Sequence, residues 1–220
     1  MSKCTELINN DQFLTGLELV KSKNVFYLIT GSIISGLGLL YDSYPVVLGS
    51  MLISPMGGPI FRIITSMLNN SITKTYKSIG ALIIFYIVAY CIGIIMSLVN
   101  EKYDYLESPT NEMKSRTEIE RIITDIIIAS ISGAILAFSM YHKDLVVIVG
   151  IGLVLSILPP TVNGGLYHGM YLYKYYNDVD SEDDISKTLI KKGNTSLLLS
   201  LINILCVFIS GYLILKLFIC

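Results

Sequence analysis

Residues 49–60 read GSMLISPMGGPI, and this stretch decides the fold because it interrupts a long apolar run. Two prolines and two glycines fall within five positions, which should break the hydrogen bonding of a helix. Lipid offers no partners for freed backbone groups, so such a break must be buried in protein or line a wet cavity. The candidate site residues in this first break are Ser54, Pro55, Gly57, Gly58 and Pro59.

Apolar stretches on both sides of the break predict an all-α, polytopic membrane protein with about six transmembrane helices. Charged residues make up 15% of the 220 residues, against roughly 25% in soluble domains, and the mean hydropathy is +0.64. Each span needs about 20 mostly apolar residues. The predicted spans cover about 25–40, 46–68, 75–99, 119–140, a fifth beginning near 144, and 195–218.

A second break is predicted in the fifth span, where residues 159–165 read PPTVNGG. Its candidate site residues are Pro159, Pro160, Asn163, Gly164 and Gly165. The two halves share an order of plain, broken and plain helix, and Ser35-Gly36 in the first half corresponds to Ser132-Gly133 in the second. Because three spans per unit is an odd number, this order predicts two inverted repeats with broken second and fifth helices.

The same pattern divides the chain into four parts. An amphipathic segment at 1–24 precedes the first three-helix repeat at 25–100. A linker rich in acidic and basic residues, 101–118, leads to the second three-helix repeat at 119–220. Lysines and arginines divide evenly between the two predicted sides of the membrane, so charge does not fix the orientation.

The chain resembles the uncharacterised hydrophobic domain family, also called domain of unknown function 389 (DUF389). Residues 49–60 are similar to that family's G-A-M-L-I-(A/S)-P-L-M-x-P-I motif, although Gly57 stands where the family more often has a bulkier residue. Residues 154–169, VLSILPPTVNGGLYHG, are similar to its second proline-rich motif. The resemblance covers about residues 25–215 and implies a polytopic membrane protein, but no established activity.

Three polar residues within apolar helices complete the candidate site. Asp125 is a candidate for ion or proton coupling, because a carboxylate in a membrane span is costly unless it is paired or wet. Arg62 follows the first break closely and is a candidate partner for Asp125 or for an anionic solute, with a structural role at the membrane interface as the alternative. Asn203 lies in the last apolar run and is interpreted as a helix-packing or solute-binding amide.

These features favour a transporter of a small solute or ion, with the two breaks meeting near the midplane. An ion channel that uses the breaks as a filter and a non-transporting structural membrane protein remain alternatives. The expected partners are the lipid bilayer, a small solute or ion and further copies of the chain in a homo-oligomer. A net charge of -1 argues against nucleic acid, and no enzymatic, metal or cofactor motif is apparent.

Overall fold

A computed structural model describes residues 22–106, 108–142, 157–177 and 184–219. The elements of these residues are all helical: α1 (Ser22–Leu40), α2 (Tyr44–Ile53), α3 (Gly57–Leu68), α4 (Ile72–Tyr103), α5 (Asn111–Ser115), α6 (Ile122–His142), α7 (Leu158–Asn177) and α8 (Asp184–Ile214), with a 3-10 turn at Ile119–Arg121 and a π turn at Leu215–Ile219. Most of the predicted amphipathic segment at 1–24 and the beginning of the predicted fifth span lie outside the described residues.

The first predicted break is present and is shorter than expected. Helix α2 ends at Ile53, and α3 begins at Gly57 with an axis bent by 43°. Gly57, Gly58 and Pro59 therefore form the first turn of α3, where the missing N–H of proline costs nothing. A bend of 43° keeps the two helices running in the same general direction, as in a broken span.

The prediction of a break at residues 159–165 is wrong. These residues are helical and belong to the first two turns of α7, which is continuous to Asn177. Pro159 and Pro160 lie in the first turn, where an N–H group would have no acceptor within the helix, so the lack of an N–H in proline loses no helical hydrogen bond. The last helix also differs from the prediction, since α8 begins at Asp184 rather than near 195.

The outward faces of the long helices are apolar and the inward faces are small or polar. On α4, Ile83, Ile87 and Ile95 are each more than half exposed, whereas Ser78, Gly93 and Ser97 are buried. Such exposed apolar surface is stable only against lipid or another protein. Four described helices are long and apolar enough to cross a membrane, and the α2–α3 pair would make a fifth span. These helices indicate a multi-pass integral membrane protein.

Helix α7 forms the centre of the molecule and is enclosed by α8, α4, α1 and the segment that carries α5. All but one of the residues from Leu158 to Met170 are buried. Gly93 of α4 lies against Gly165, and Ser97 lies against Gly169, so α4 and α7 run in parallel. Helix α8 runs antiparallel to α7, because Ser200 bonds Ile157 and Gly193 lies against Gly164.

The small residues of α1 pack inside the chain. Gly31, Ser32, Ser35 and Gly36 are all buried, and Gly36 faces Met96 and Val162. This internal packing accounts for the small residues without a second subunit, so they no longer argue for self-association. The homo-oligomer stays a prediction.

Candidate functional site

The C-terminus of α2 and the N-terminus of α7 meet at Gly31, the central residue of α1 as described. A Cβ atom placed on Gly31 would lie 3.6 Å from Leu158 Cδ2 and 3.7 Å from Ile53 Cγ2. Two helix ends therefore lie beside the middle of an apolar helix that is itself long enough to span a membrane. The chain thus brings two helix ends, where backbone groups lack partners within the helix, beside the middle of α1.

A row of buried hydroxyl groups joins α7 to α8 next to the place where the α2 and α7 ends meet. The Ser200 hydroxyl donates to the Ile157 carbonyl at 3.0 Å and lies 2.8 Å from the Thr161 hydroxyl, which also donates to the same carbonyl. One turn further along α7, the Ser196 hydroxyl donates to the Pro160 carbonyl at 2.9 Å. The interface between α7 and α8 is therefore polar here, and none of these residues has a charged side chain.

Asn163 is one of several buried polar residues with a side-chain atom that lacks a partner among the described residues. Its side chain is completely buried, and Nδ2 donates to the Met113 carbonyl at 3.0 Å and to the Ser196 hydroxyl at 3.1 Å. Its Oδ1 atom is also buried but has no hydrogen-bond partner among the residues that the structure describes. A buried polar atom without a partner costs about 1–3 kcal/mol, so its presence calls for a ligand or another functional reason.

The α5 segment covers Asn163 on the side that the long helices leave open. Met113 is completely buried, and the Thr110 hydroxyl donates to the Leu39 carbonyl at 2.6 Å. The Asp42 carboxylate accepts hydrogen bonds from the Glu112 backbone amide at 2.6 Å and from Asn111 Nδ2 at 3.0 Å. The predicted charged linker is therefore partly a structural cover that is fastened to the turn between α1 and α2.

The model of one protein family matches residues 51–209, which is well over half of the chain. The chain belongs to the DUF389 family. This membership confirms the resemblance carried by residues 49–60 and 154–169, and the family's description, domain of unknown function, assigns no activity. The comparisons with curated proteins and with solved structures gave no match.

The cover over Asn163 in this DUF389 protein leads to a first prediction. Asp42→Ala removes two of the hydrogen bonds that hold α5, so we expect the segment around Lys114 and Arg116 to detach more often and trypsin to cleave there several times faster. Asp104→Ala is the matched control, because Asp104 has a similar positive φ of 49° and lies at the end of α4, outside these bonds. Equal cleavage rates in the two variants would contradict the assigned role of Asp42.

The residues of the first break have structural roles as well as a central position. The Ser54 hydroxyl accepts a bond from the Met56 amide at 3.4 Å, and the Pro55 carbonyl accepts one from the Gly58 amide at 3.2 Å. These bonds begin α3. Ser54 and Pro55 directly follow the α2 terminus that approaches α7, so the DUF389 motif lies at the junction even though most of its residues are helical.

The glycines of the predicted second break serve close helix packing. A side chain on Gly165 would collide with the Tyr90 carbonyl, and one on Gly164 would lie 2.6 Å from the Leu197 side chain. Gly164 and Gly165 are therefore contact points of α7 with α8 and α4 rather than helix breakers. Pro159 and Pro160 are buried at the beginning of the same helix.

The three predicted coupling residues lie in different places. Asn203 is buried on α8, one turn beyond Ser200 and on the same face, so it extends the polar row. Asp125 is half-buried in the first turn of α6, and Arg62 is half-buried on α3. The pairing of Asp125 with Arg62 stays a prediction.

Several polar groups of the DUF389 interior were missed in the sequence. Ser196 and Ser200 precede the predicted Asn203 at helical spacing in an apolar run, and this spacing was the available signal. The Tyr90 hydroxyl lies 2.8 Å from His168 Nδ1 and so joins α4 to α7. No local sequence pattern reveals this contact, because the two residues are far apart in the sequence.

Proposed function

We propose that this chain is a membrane transporter that moves a small solute or ion past Asn163 by alternating access. The observation that carries the proposal is the buried and unpartnered Asn163 oxygen in the central helix. Polar groups inside membrane proteins are costly and usually mark a pathway for ions or solutes. The Nδ2 bonds to Met113 and Ser196 serve the packing of the interior, whereas the oxygen is left for a solute to contact.

The contacts between helices support an arrangement in two three-helix units. Helix α3 packs against α4 of its own unit and against α8, while α7 packs against α8 of its own unit and against α4. Each of the paired Ser-Gly motifs contacts the last helix of its own unit, since Gly36 faces Met96 on α4 and Gly133 faces Val207 on α8. Reciprocal contacts of this kind are expected for two units related by a twofold axis, as in transporters with inverted repeats.

The closed interior favours a carrier over a channel. Asn163, Thr161, Ser196 and Ser200 are completely buried, with α5 above them and long helices on the remaining sides. A channel needs a continuous wet path in its conducting state. A carrier exposes its site first to one side and then to the other, and it includes an occluded state such as this one.

Six spans in inverted units lead to a prediction about topology. The background is a variant without native cysteines, into which Tyr41→Cys or Asn70→Cys is introduced singly. The two cysteines should react with an impermeant maleimide from opposite sides of the membrane, because the α2–α3 pair bends by only 43°. A cysteine at His142 should react from the same side as Asn70. Reaction of positions 41 and 70 from one side would indicate a re-entrant loop, and reaction of positions 41 and 142 from one side would contradict the inversion.

The function is tested with purified protein in liposomes. We expect uptake of at least one member of a panel of inorganic ions and small polar solutes to exceed uptake by protein-free liposomes. The uptake rate should saturate with concentration, as for a carrier, rather than rise linearly as for an open pore. Uptake equal to that of protein-free liposomes for the whole panel would contradict the proposal.

A further inference from the structure

The long helices on two sides of Asn163 are packed too closely to let a solute pass between them. On one side Gly93 of α4 lies against Gly165, so α4 and α7 touch backbone to backbone. On the other side the Ser196 hydroxyl of α8 donates to the Pro160 carbonyl at 2.9 Å. Close-packed interfaces of this kind yield little without separation of whole helices. A path to Asn163 through either interface would therefore require the bundle to come apart.

The α5 segment (residues 110–117) covers Asn163 on another side and is much smaller than these helices. Met113 is the one buried residue of α5, and its carbonyl accepts a hydrogen bond from Asn163 Nδ2 at 3.0 Å. The other residues of the segment are at least partly exposed. Further hydrogen bonds fasten the segment to the Leu39 carbonyl and to the Asp42 carboxylate. Both of these partners lie at the end of α1 or in the turn that follows it.

Two polar atoms of α7 next to the α5 segment are poorly satisfied while the segment is in place. Asn163 Oδ1 has no hydrogen-bond partner among the described residues. Tyr167 lies one turn further along the same face of α7 and is completely buried. Its hydroxyl has Thr117 of the segment nearby, but it makes no hydrogen bond of good geometry with the described residues. Water could bond both atoms if the segment lifted, which would offset part of the free energy lost by opening.

We propose that the α5 segment is a gate that opens Asn163 to the side of the membrane where the α1–α2 turn lies. This inference rests on the proposed transport function and assigns one of the two access routes of the same site. The bonds to Leu39 and Asp42 set how often the gate opens, because they hold the segment to the turn. The long helices keep their close contacts while the segment moves.

The gate is tested by the rate at which a cysteine at position 163 is modified in reconstituted liposomes. In a variant without native cysteines, Asn163→Cys is combined with Asp42→Ala, and an impermeant thiol reagent is added to one side at a time. The side of the turn is the side from which Tyr41→Cys reacts. We expect Asp42→Ala to raise the rate from that side by about three- to tenfold, because two hydrogen bonds to the segment are lost. The rate from the other side should not rise.

Two controls separate an opened gate from a generally loosened protein. Asp104→Ala makes the same substitution at the end of α4 and should leave the rate at position 163 unchanged. Ala89→Cys, which is completely buried on α4, should stay unreactive when it is combined with Asp42→Ala.

A second variant tests the gate even if Asp42→Ala lowers the yield of folded protein. Thr110→Val keeps the shape of the side chain but removes the hydroxyl that bonds the Leu39 carbonyl and the Met113 amide. It should raise the rate at position 163 from the side of the turn as Asp42→Ala does. Thr188→Val is its matched control, because the Thr188 hydroxyl bonds the Asp184 carbonyl within α8.

The outcomes separate the gate from the transport function. Equal rates in the two loosened variants and in their controls, or an equal rise from both sides, would overturn the gate. If the liposomes then take up a solute and Asn163→Leu abolishes that uptake, transport stands and the solute reaches Asn163 by another route. A rise from the side of the turn alone, together with no uptake of any solute, would support the gate and contradict transport.

Discussion

Asn163→Leu is expected to reduce uptake by reconstituted liposomes at least tenfold while leaving the protein folded. Leucine has nearly the shape of asparagine, but it removes the buried oxygen that the solute or ion is proposed to contact. The variant loses the bonds to Met113 and Ser196 and also loses an unpartnered polar atom, so the net effect on stability should be small.

The matched control is Asn177→Leu. It makes the same substitution on α7 at an exposed position, where the amide bonds only the Tyr173 carbonyl among the described contacts. Its uptake should match wild type, and both variants should elute from a sizing column as wild type does. Full uptake by Asn163→Leu would remove Asn163 from the pathway.

Gly165→Leu is expected to prevent correct folding. A Cβ atom at this position collides with the Tyr90 carbonyl and lies 3.0 Å from Gly93 Cα, so the new side chain meets backbone that cannot move aside. Overpacking usually costs 1–3 kcal/mol, and a clash with backbone should reach about 3 kcal/mol or more. The α4–α7 contact would open, and the yield of monodisperse protein should fall severalfold.

Gly80→Leu is the control for this prediction. Gly80 lies on α4, and a Cβ atom there would meet no atom within 4 Å. Its yield and Tm should remain close to wild type. A Gly165→Leu protein with wild-type Tm would show that the α4–α7 interface is looser than the packing of Gly93 against Gly165 indicates.

The part of the fold that could be predicted from the sequence depends on local patterns. Residues 49–60 revealed the bend between α2 and α3 because proline and glycine act on the adjacent helical turns. The same reasoning failed at Pro159 and Pro160. A proline breaks the interior of a helix but is accommodated in its first turn, and the sequence did not reveal that a helix begins at Leu158.

The candidate site was predictable in part for a similar reason. Asn163 was identified because an amide beside prolines and glycines in an apolar run is conspicuous. Its contact with Met113 was not, since that contact uses a backbone carbonyl and joins positions 50 residues apart. Gly164 and Gly165 were interpreted as part of a helix break, whereas their role is to let neighbouring helices approach, which depends on tertiary packing.

The most direct test of transport past Asn163 is the chemical accessibility of a cysteine at that position, which does not depend on knowing the solute. In a variant without the four native cysteines, Asn163→Cys should react with a small, impermeant thiol reagent from either side of the membrane. Ala89→Cys, completely buried in the packed face of α4, should remain unreactive. If Asn163→Cys is as unreactive as Ala89→Cys from both sides, position 163 lies in a dry core and the account is contradicted.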